Sequence, residues 1–247
     1  MIPLIRGWTD LNRTTQANTR LGVTLTFVAG AANAGGFLAV GQYTSHMTGV
    51  VSSIADSVVL GNLTVALVGI AMLVAFVGGA MCTAIMVNWG LRRQLSSAYG
   101  LPLLLEALLL LLFGLFGTAI NFFATLFVPL TVVVLCFIMG LQNAVITKIS
   151  RAEIRTTHVT GLVTDMGIEL GKLLYINTTH GAVPVIANRD KLKLQGKLIA
   201  GFLVGGLLGA AGFKHAGFIA TVPLAILLFM LVAKSLWNDA RLRLSTL

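Results

Sequence analysis

Six long apolar stretches constrain this chain more than any other feature of its sequence. A helix that crosses the hydrocarbon core of a bilayer needs roughly 20 mostly apolar residues. Six stretches meet that requirement: 21–41, 64–89, 101–120, 123–147, 197–213 and 217–236. Only 10% of the residues are charged, whereas soluble domains have about 25%. The sequence therefore predicts an all-α integral membrane protein with six transmembrane helices.

The basic residues predict how these helices are oriented. Two further segments, 44–61 and 157–178, are helical in pattern but more polar. If neither crosses the membrane, 16 of the 17 Lys and Arg residues share one side, and only Lys214 lies opposite. If both cross, the split is 11 to 6. Because basic residues concentrate in cytoplasmic loops, we expect the first arrangement, with 1–20 and 237–247 as cytoplasmic tails. The same bias explains the net charge of +9, so no nucleic-acid partner is expected.

The chain also contains an internal repeat. Residues 44–52 align without gaps with 156–164, 30–34 resembles 140–144, and 76–79 resembles 203–206. Each half, 21–120 and 123–236, therefore consists of a span, a short polar half-helix and two more spans. Because each half has an odd number of spans, the second half is inverted in the membrane relative to the first. Inverted repeats are typical of transporters with a site near the bilayer midplane. The predicted fold is an inverted 3+3 repeat.

The repeated segments supply the candidate site. We expect the short helices to be capped by Thr44 or Ser45 in the first half and by Thr156 or Thr157 in the second. Each short helix is about 20–27 Å long, so it can end near the middle of a hydrocarbon core roughly 30 Å thick. Helix N-termini favour anions or electronegative atoms. The residues predicted to bind substrate or line a pore are Asn33, Ser45, His46, Thr48, Gly49, Asn143, Thr157, His158, Thr160 and Gly161.

Two interpretations of the matched His and Asn residues stay open. His46 and His158 could relay a proton, or each could bond a carbonyl and lock its half-helix. Asn33 and Asn143 could line the site, or they could join helices through hydrogen bonds worth about a kcal/mol.

Three acidic residues form a candidate ion or proton path: Glu106, Asp56 and Asp165. Acids within a membrane are costly and usually functional, but Glu106 lies near the expected cytoplasmic end of its span. We expect it to pair with Arg92 or Arg93. Asp165 shares a helix face with Glu169, which we expect on a solvated face beside Lys172.

The cysteines and the remaining motifs say less about function. Cys82 and Cys136 lie in apolar runs, where free packing cysteines are expected, and no metal site or cofactor is predicted. No enzyme motif occurs, so no catalytic residue is predicted. Gly201, Gly205 and Gly209 form a small-residue stripe that suits packing within the monomer, or else a homo-oligomer contact.

Three stretches of the chain are distinctive: GGFLAVGQYTSHMTG, GLQNAVITKIS and RTTHVTGLVTDMGIELG. Through them the chain resembles the YoaK-like family of small bacterial multipass membrane proteins, a domain of unknown function. The resemblance covers nearly the whole chain after the basic tail. It implies a bacterial inner (plasma) membrane protein with about six spans and no established substrate. In that family an Asp commonly precedes the Ala of the first helix, where this chain has Asn33. A proton step carried by that Asp would be missing here or would use another group.

Two functions are compatible with these patterns. The first is a transporter or channel for small anions or small polar solutes, with a midplane site between the inverted halves. The second is a non-transporting membrane scaffold or accessory subunit.

Overall fold

The computed structural model describes residues 14–116, 124–178 and 183–244, and this part of the chain is helical, without strands. Eight α-helices follow one another: α1 (Thr15–Val40), α2 (Met47–Val59), α3 (Leu63–Arg92), α4 (Gly100–Phe116), α5 (Ala124–Ser150), α6 (Val159–Leu174), α7 (Arg189–Ala216) and α8 (Thr221–Leu244). A 3-10 turn, Gly217–Ala220, joins the last two.

Each predicted span and half-helix corresponds to one helix, although several bounds differ. α1 begins at Thr15, inside the segment expected to be a tail, because the Thr14 side chain caps it by accepting from Ala17 N. α7 begins at Arg189, eight residues before the predicted span, with Asn188 as its cap. The end of the predicted span 101–120 and the start of 123–147 fall outside the described residues.

Four segments of the described chain are long and apolar enough to cross a membrane: Gln16–Leu38, Leu63–Arg92, Leu130–Ser150 and Arg189–Leu242. The last contains both α7 and α8. α4, with 17 residues, covers about 26 Å and is shorter than these. The chain therefore has the helices of a membrane protein, as its composition predicts.

The packing of α1 on α7 and of α3 on α5 depends on glycine. A Cβ added at Gly30 of α1 would lie 2.1 Å from the carbonyl oxygen of Phe202, and one at Gly205 of α7 would lie 2.0 Å from that of Phe27. The second pair repeats this: Gly79 of α3 approaches the carbonyl of Phe137, and Gly140 of α5 that of Phe76. Only glycine permits backbones to approach this closely.

These contacts correct the register of the repeat. By their contacts, Gly79 is the counterpart of Gly205, and Phe76 is the counterpart of Phe202. Sequence similarity had paired 76–79 with 203–206, which is shifted by one residue from this structural pairing. The glycine contacts also show that the small-residue stripe on α7 is used within the chain, because Gly205 and Gly209 pack on the backbone of α1.

Contacts along the helices establish their relative directions. α1 and α7 are parallel, since Gly22 lies near Leu198 and Gly35 near Phe213. α3 and α5 are also parallel, since Gly79 lies near Phe137 and Asn88 accepts from Lys148 Nζ at 3.4 Å.

Two other helix pairs are antiparallel. Gln142 Nε2 of α5 donates to the carbonyl of Leu25 of α1 at 3.1 Å, while Gly36 faces Leu135. α4 and α8 are fastened at both ends. Thr221 donates to the Leu110 carbonyl near the end of α4, and Asp239 accepts from Ser96 and Ser97 just before its start.

Candidate functional site

The backbone before each short helix is anchored to an asparagine of the preceding long helix. Asn33 Oδ1 accepts from Ser45 N at 3.2 Å and from Ser45 Oγ at 2.9 Å. In the second half Asn143 Oδ1 accepts from Thr157 Oγ1 at 2.8 Å and from Thr156 Oγ1 at 3.3 Å. Asn33 and Asn143 are 9% and 8% exposed. Their described role is to join α1 to α2 and α5 to α6.

These anchors hold the starts of α2 and α6 beside the last turns of α1 and α5. Asn33 and Asn143 each lie seven residues before the end of their helix, a depth of about 10 Å at 1.5 Å per residue. The chain therefore folds back after α1 and again after α5 before the short helix begins. Non-helical backbone at such a depth is tolerated in a membrane where protein or a water-filled cavity shelters it.

The predicted helix caps are wrong. His46 and His158 occupy the N-cap positions, and neither side chain makes a capping hydrogen bond. Ser45 and Thr157 lie one residue before these caps, and their hydroxyls donate to the asparagines. The first turns of α2 and α6 thus start without a side-chain cap.

The two histidines are held differently. His46 folds over its own helix, so that a Cβ added at Gly49 would lie 2.6 Å from His46 Nδ1. His158 Nδ1 instead lies 3.5 Å from Arg155 Nη1, and nothing lies within 4 Å of a Cβ added at Gly161. Both histidines are exposed, as are Thr48 and Thr160.

A pocket of about 280 Å³, the first-half pocket, lies between the end of α1, the start of α2 and α3. His46 and Gly49 line it together with Phe37 and Tyr43, whose rings stack with centroids 4.5 Å apart. All of its lining residues belong to the first half of the chain. Neither aromatic residue was among the predicted site residues, because single aromatics at the end of an apolar helix are common.

A second pocket of about 270 Å³, the second-half pocket, lies between α6, the start of α7 and the start of α1. Its walls include Glu153, Asp165, Asp190 and Lys191, and Lys191 Nζ lies 3.2 Å from Asp165 Oδ2. Gln195 also lines it, is 3% exposed and has an Oε1 without a hydrogen-bond partner. This pocket is polar and carries three carboxylates against one ammonium.

The two pockets are built from equivalent positions of the two halves. The pairing of α2 with α6 follows from the sequence repeat, and that of α3 with α7 follows from the glycine contacts. Six pairs line both pockets: Val50 and Leu162, Ser53 and Asp165, Val65 and Lys191, Val68 and Leu194, Gly69 and Gln195, and Met72 and Leu198. The duplicated fold has thus kept the pocket in each half while its lining has diverged from apolar to charged.

The structure does not bring the two short helices together. α2 packs on α3, and α6 packs on α7. Gln142 is level with Leu25 through their hydrogen bond, and Asn33 lies eight residues further along α1. The two asparagine anchors are therefore about 12 Å apart along the α1–α5 pair. His158 does not line the first-half pocket, and His46 does not line the second-half pocket.

The predicted acidic residues are dispersed. Asp56 is exposed on α2 and does not line the first-half pocket, whereas Asp165 lines the second-half pocket. Glu106 is fully buried, and neither of its carboxylate oxygens has a partner, so the expected pair with Arg92 or Arg93 is not formed.

Glu169 is also not on a solvated face. It is 3% exposed and accepts from Lys172 Nζ at 2.9 Å and from Asn188 N at 2.7 Å. The pairing with Lys172 is confirmed, and the contact with Asn188 ties α6 to the start of α7.

No group of three or more His, Cys, Asp or Glu side chains in the described part of the chain could hold a metal ion. Comparison with known proteins gives one result. The model of the family described as protein of unknown function DUF1275 matches residues 21–233. No curated protein and no solved structure matches significantly. The match covers most of the chain, including both short helices and their anchors, so this protein belongs to the DUF1275 family of proteins of unknown function.

Proposed function

We propose that six helices cross the membrane as two inverted halves. α1, α4 and α7 run in one direction, and α3, α5 and α8 run in the other. The antiparallel pairs α1–α5 and α4–α8 support this arrangement. So does the aromatic cluster of Phe113, Phe213 and Phe218, which gathers the ends of α4 and α7 at the start of α8. Each helix then runs opposite to its counterpart in the other half.

On this proposal the protein lies in a bacterial inner membrane with both tails in the cytoplasm, because basic residues concentrate there. The first-half pocket faces the extracytoplasmic side and the second-half pocket faces the cytoplasm.

We further propose that the protein transports a small polar solute. The supporting observation is the pair of equivalent pockets beside the two short helices, one at the end of α1 and the other at its start. Transporters built from inverted repeats place their sites at such broken helices. Pockets of about 280 and 270 Å³ lie just below the usual range of small-molecule sites, about 300–1,000 Å³. They would fit a small solute.

The charges in the pockets narrow the substrate class. A simple anion would suit the uncapped start of α2, but it would meet three carboxylates in the second-half pocket. A neutral or zwitterionic solute avoids that repulsion, because it offers donors to Asp165 and acceptors to Lys191. We therefore favour a small polar solute over an inorganic anion.

Reconstituted protein tests this function. Purified protein in liposomes would be assayed for uptake of a panel of small neutral, zwitterionic and anionic solutes. We expect uptake of at least one, with uptake lowered several-fold in His46→Ala and Asp165→Asn. His215→Ala, at an exposed position near the end of α7, is the matched control and should transport normally. Unchanged uptake in both pocket variants would remove the pockets from the mechanism.

A membrane scaffold is the second candidate, and the glycine-packed crossings of α1 on α7 and α3 on α5 favour it, since they hold these helix pairs rigidly. It predicts no uptake of any solute and a stable partner that copurifies from native membranes. It also predicts that the His46→Ala variant keeps that partner.

A further inference from the structure

The carboxyl group of Glu106, about two turns into α4, is buried and has no hydrogen-bond partner among the described residues. It is 0% exposed. On its own helix Leu103, Ala107 and Leu110 are buried around it. α4 contacts α8 on both sides of Glu106: Gly100 lies against Val232, and the Leu110 carbonyl accepts from Thr221. Glu106 is therefore level with the part of α8 between Thr221 and Val232. The buried residues there are Leu224, Ala225, Leu228 and Leu231.

Among the residues that the structure describes, no charged group neutralises this carboxyl. Both oxygens lack a hydrogen-bond partner. Arg92 is exposed at the end of α3, and Arg93 stacks over Trp89 at 4.7 Å. Lys148 of α5 bonds to Asn88.

The titratable groups of α8 and the two cysteines also lie away from the Glu106 carboxyl group. Asp239 holds Ser96 and Ser97, and Arg241 lies over Trp237. Lys234 lies two residues beyond Val232, which is level with Gly100, so it is about 12 Å from Glu106 along the helix axis. The buried Cys136 packs with Val50, Met72 and Val132, and Cys82 lies 3.7 Å from Met86 Sδ.

An ionised carboxylate without a counter-charge or donor is far more costly in such surroundings than the neutral acid. This packing therefore suits the neutral acid. Even a neutral acid gives up its hydrogen bonds to water here, so packing alone does not account for a glutamate where a leucine would fill the space.

We propose that Glu106 is the proton-carrying group of this protein. In the conformation described here it holds its proton away from water. When water reaches this carboxyl group, its O–H bond breaks, the proton passes to water, and the carboxylate remains until a proton returns from the other side. The role of this step in driving solute movement depends on the transport function proposed above, whereas proton binding at Glu106 does not.

Infrared spectroscopy of the purified protein at neutral pH tests proton binding directly, because a protonated carboxyl group has a C=O stretch well separated from that of a carboxylate. We expect this band in the wild-type protein and in Asp165→Asn, and its loss in Glu106→Gln. Glutamine matches the neutral acid in shape, so this variant should fold with an unchanged melting temperature. A band that persists in Glu106→Gln would overturn the proposal.

Proteoliposomes test the coupling. We expect a pH gradient to accelerate solute uptake several-fold in the wild-type protein but not in Glu106→Gln, which should still exchange solute across the membrane. Gradient-driven uptake that is unchanged in Glu106→Gln would overturn the coupling. If the wild-type protein shows the infrared band but moves no solute, the transport function fails and the proton site stands.

Discussion

At the residue scale, the glycines at the helix crossings set how closely the long helices can pack. The chain contains 27 glycines, but they are not equivalent. A Cβ at Gly30 would lie 2.1 Å from a backbone oxygen, whereas a Cβ at Gly161 would meet no atom within 4 Å. A backbone atom cannot rotate away as a side chain can, so the crossing at Gly30 does not admit even a methyl group.

This difference predicts opposite effects of one substitution. Gly30→Ala should force α1 away from α7 and lower stability by about 1–3 kcal/mol, the usual cost of overpacking. Gly161→Ala should be neutral or stabilising by up to about 1 kcal/mol, because alanine is the better helix former. Apparent thermal unfolding midpoints in one detergent would measure both. Equal midpoints for Gly30→Ala and the wild-type protein would show that the close crossing is not required.

At the element scale, α6 is fastened to α7 by the buried Glu169. Its carboxylate accepts from the backbone N–H of Asn188 and from Lys172, and these bonds lower the pKa of the Glu169 carboxyl below its ordinary value. A lowered pKa means that the folded state favours the carboxylate. The stabilisation is therefore complete at neutral pH and is lost as the pH falls through the folded-state pKa.

Hydrogen exchange at different pH values can detect this loss. Below about pH 4, under the ordinary pKa of a glutamate, the amides of α6 should lose protection relative to those of α2, after correction for the intrinsic exchange rate. Glu169→Gln should show reduced protection of α6 already at neutral pH and little further change in acid. If α6 keeps its protection in the variant, Glu169 does not fasten the helix.

The elements themselves were predictable from the sequence, but their partners were not. Each predicted span and half-helix became a helix because run length and hydropathy are local properties. The repeat of Asn and His was visible for the same reason. The bond of Glu169 to Asn188 and the isolation of Glu106 depend on contacts between distant segments, which leave no local periodic signal. Lys172, one turn from Glu169, was the only partner that local spacing could indicate.

At the scale of the whole molecule, the structure has two equivalent pockets where the sequence predicted one shared site. The repeat predicted one site near the midplane between the inverted halves. The described chain instead has a pocket lined by the first half alone and an equivalent pocket lined by the second half together with the start of α1. The two asparagine anchors lie about 12 Å apart along the α1–α5 pair. The sequence could not reveal this separation, because the depth of each half-helix depends on the bonds from Ser45 to Asn33 and from Thr157 to Asn143.

The most direct test of the central claim, that equivalent pockets open to opposite sides of the membrane, is cysteine accessibility at one matched pair of positions. Ser53 and Asp165 line the two pockets at equivalent places. Each would be replaced by cysteine in a chain whose native Cys82 and Cys136 are alanine. A membrane-impermeant maleimide should label Ser53→Cys in intact cells and Asp165→Cys only in inverted membrane vesicles. Labelling of both positions from the same side would contradict the inverted arrangement and the transport function built on it.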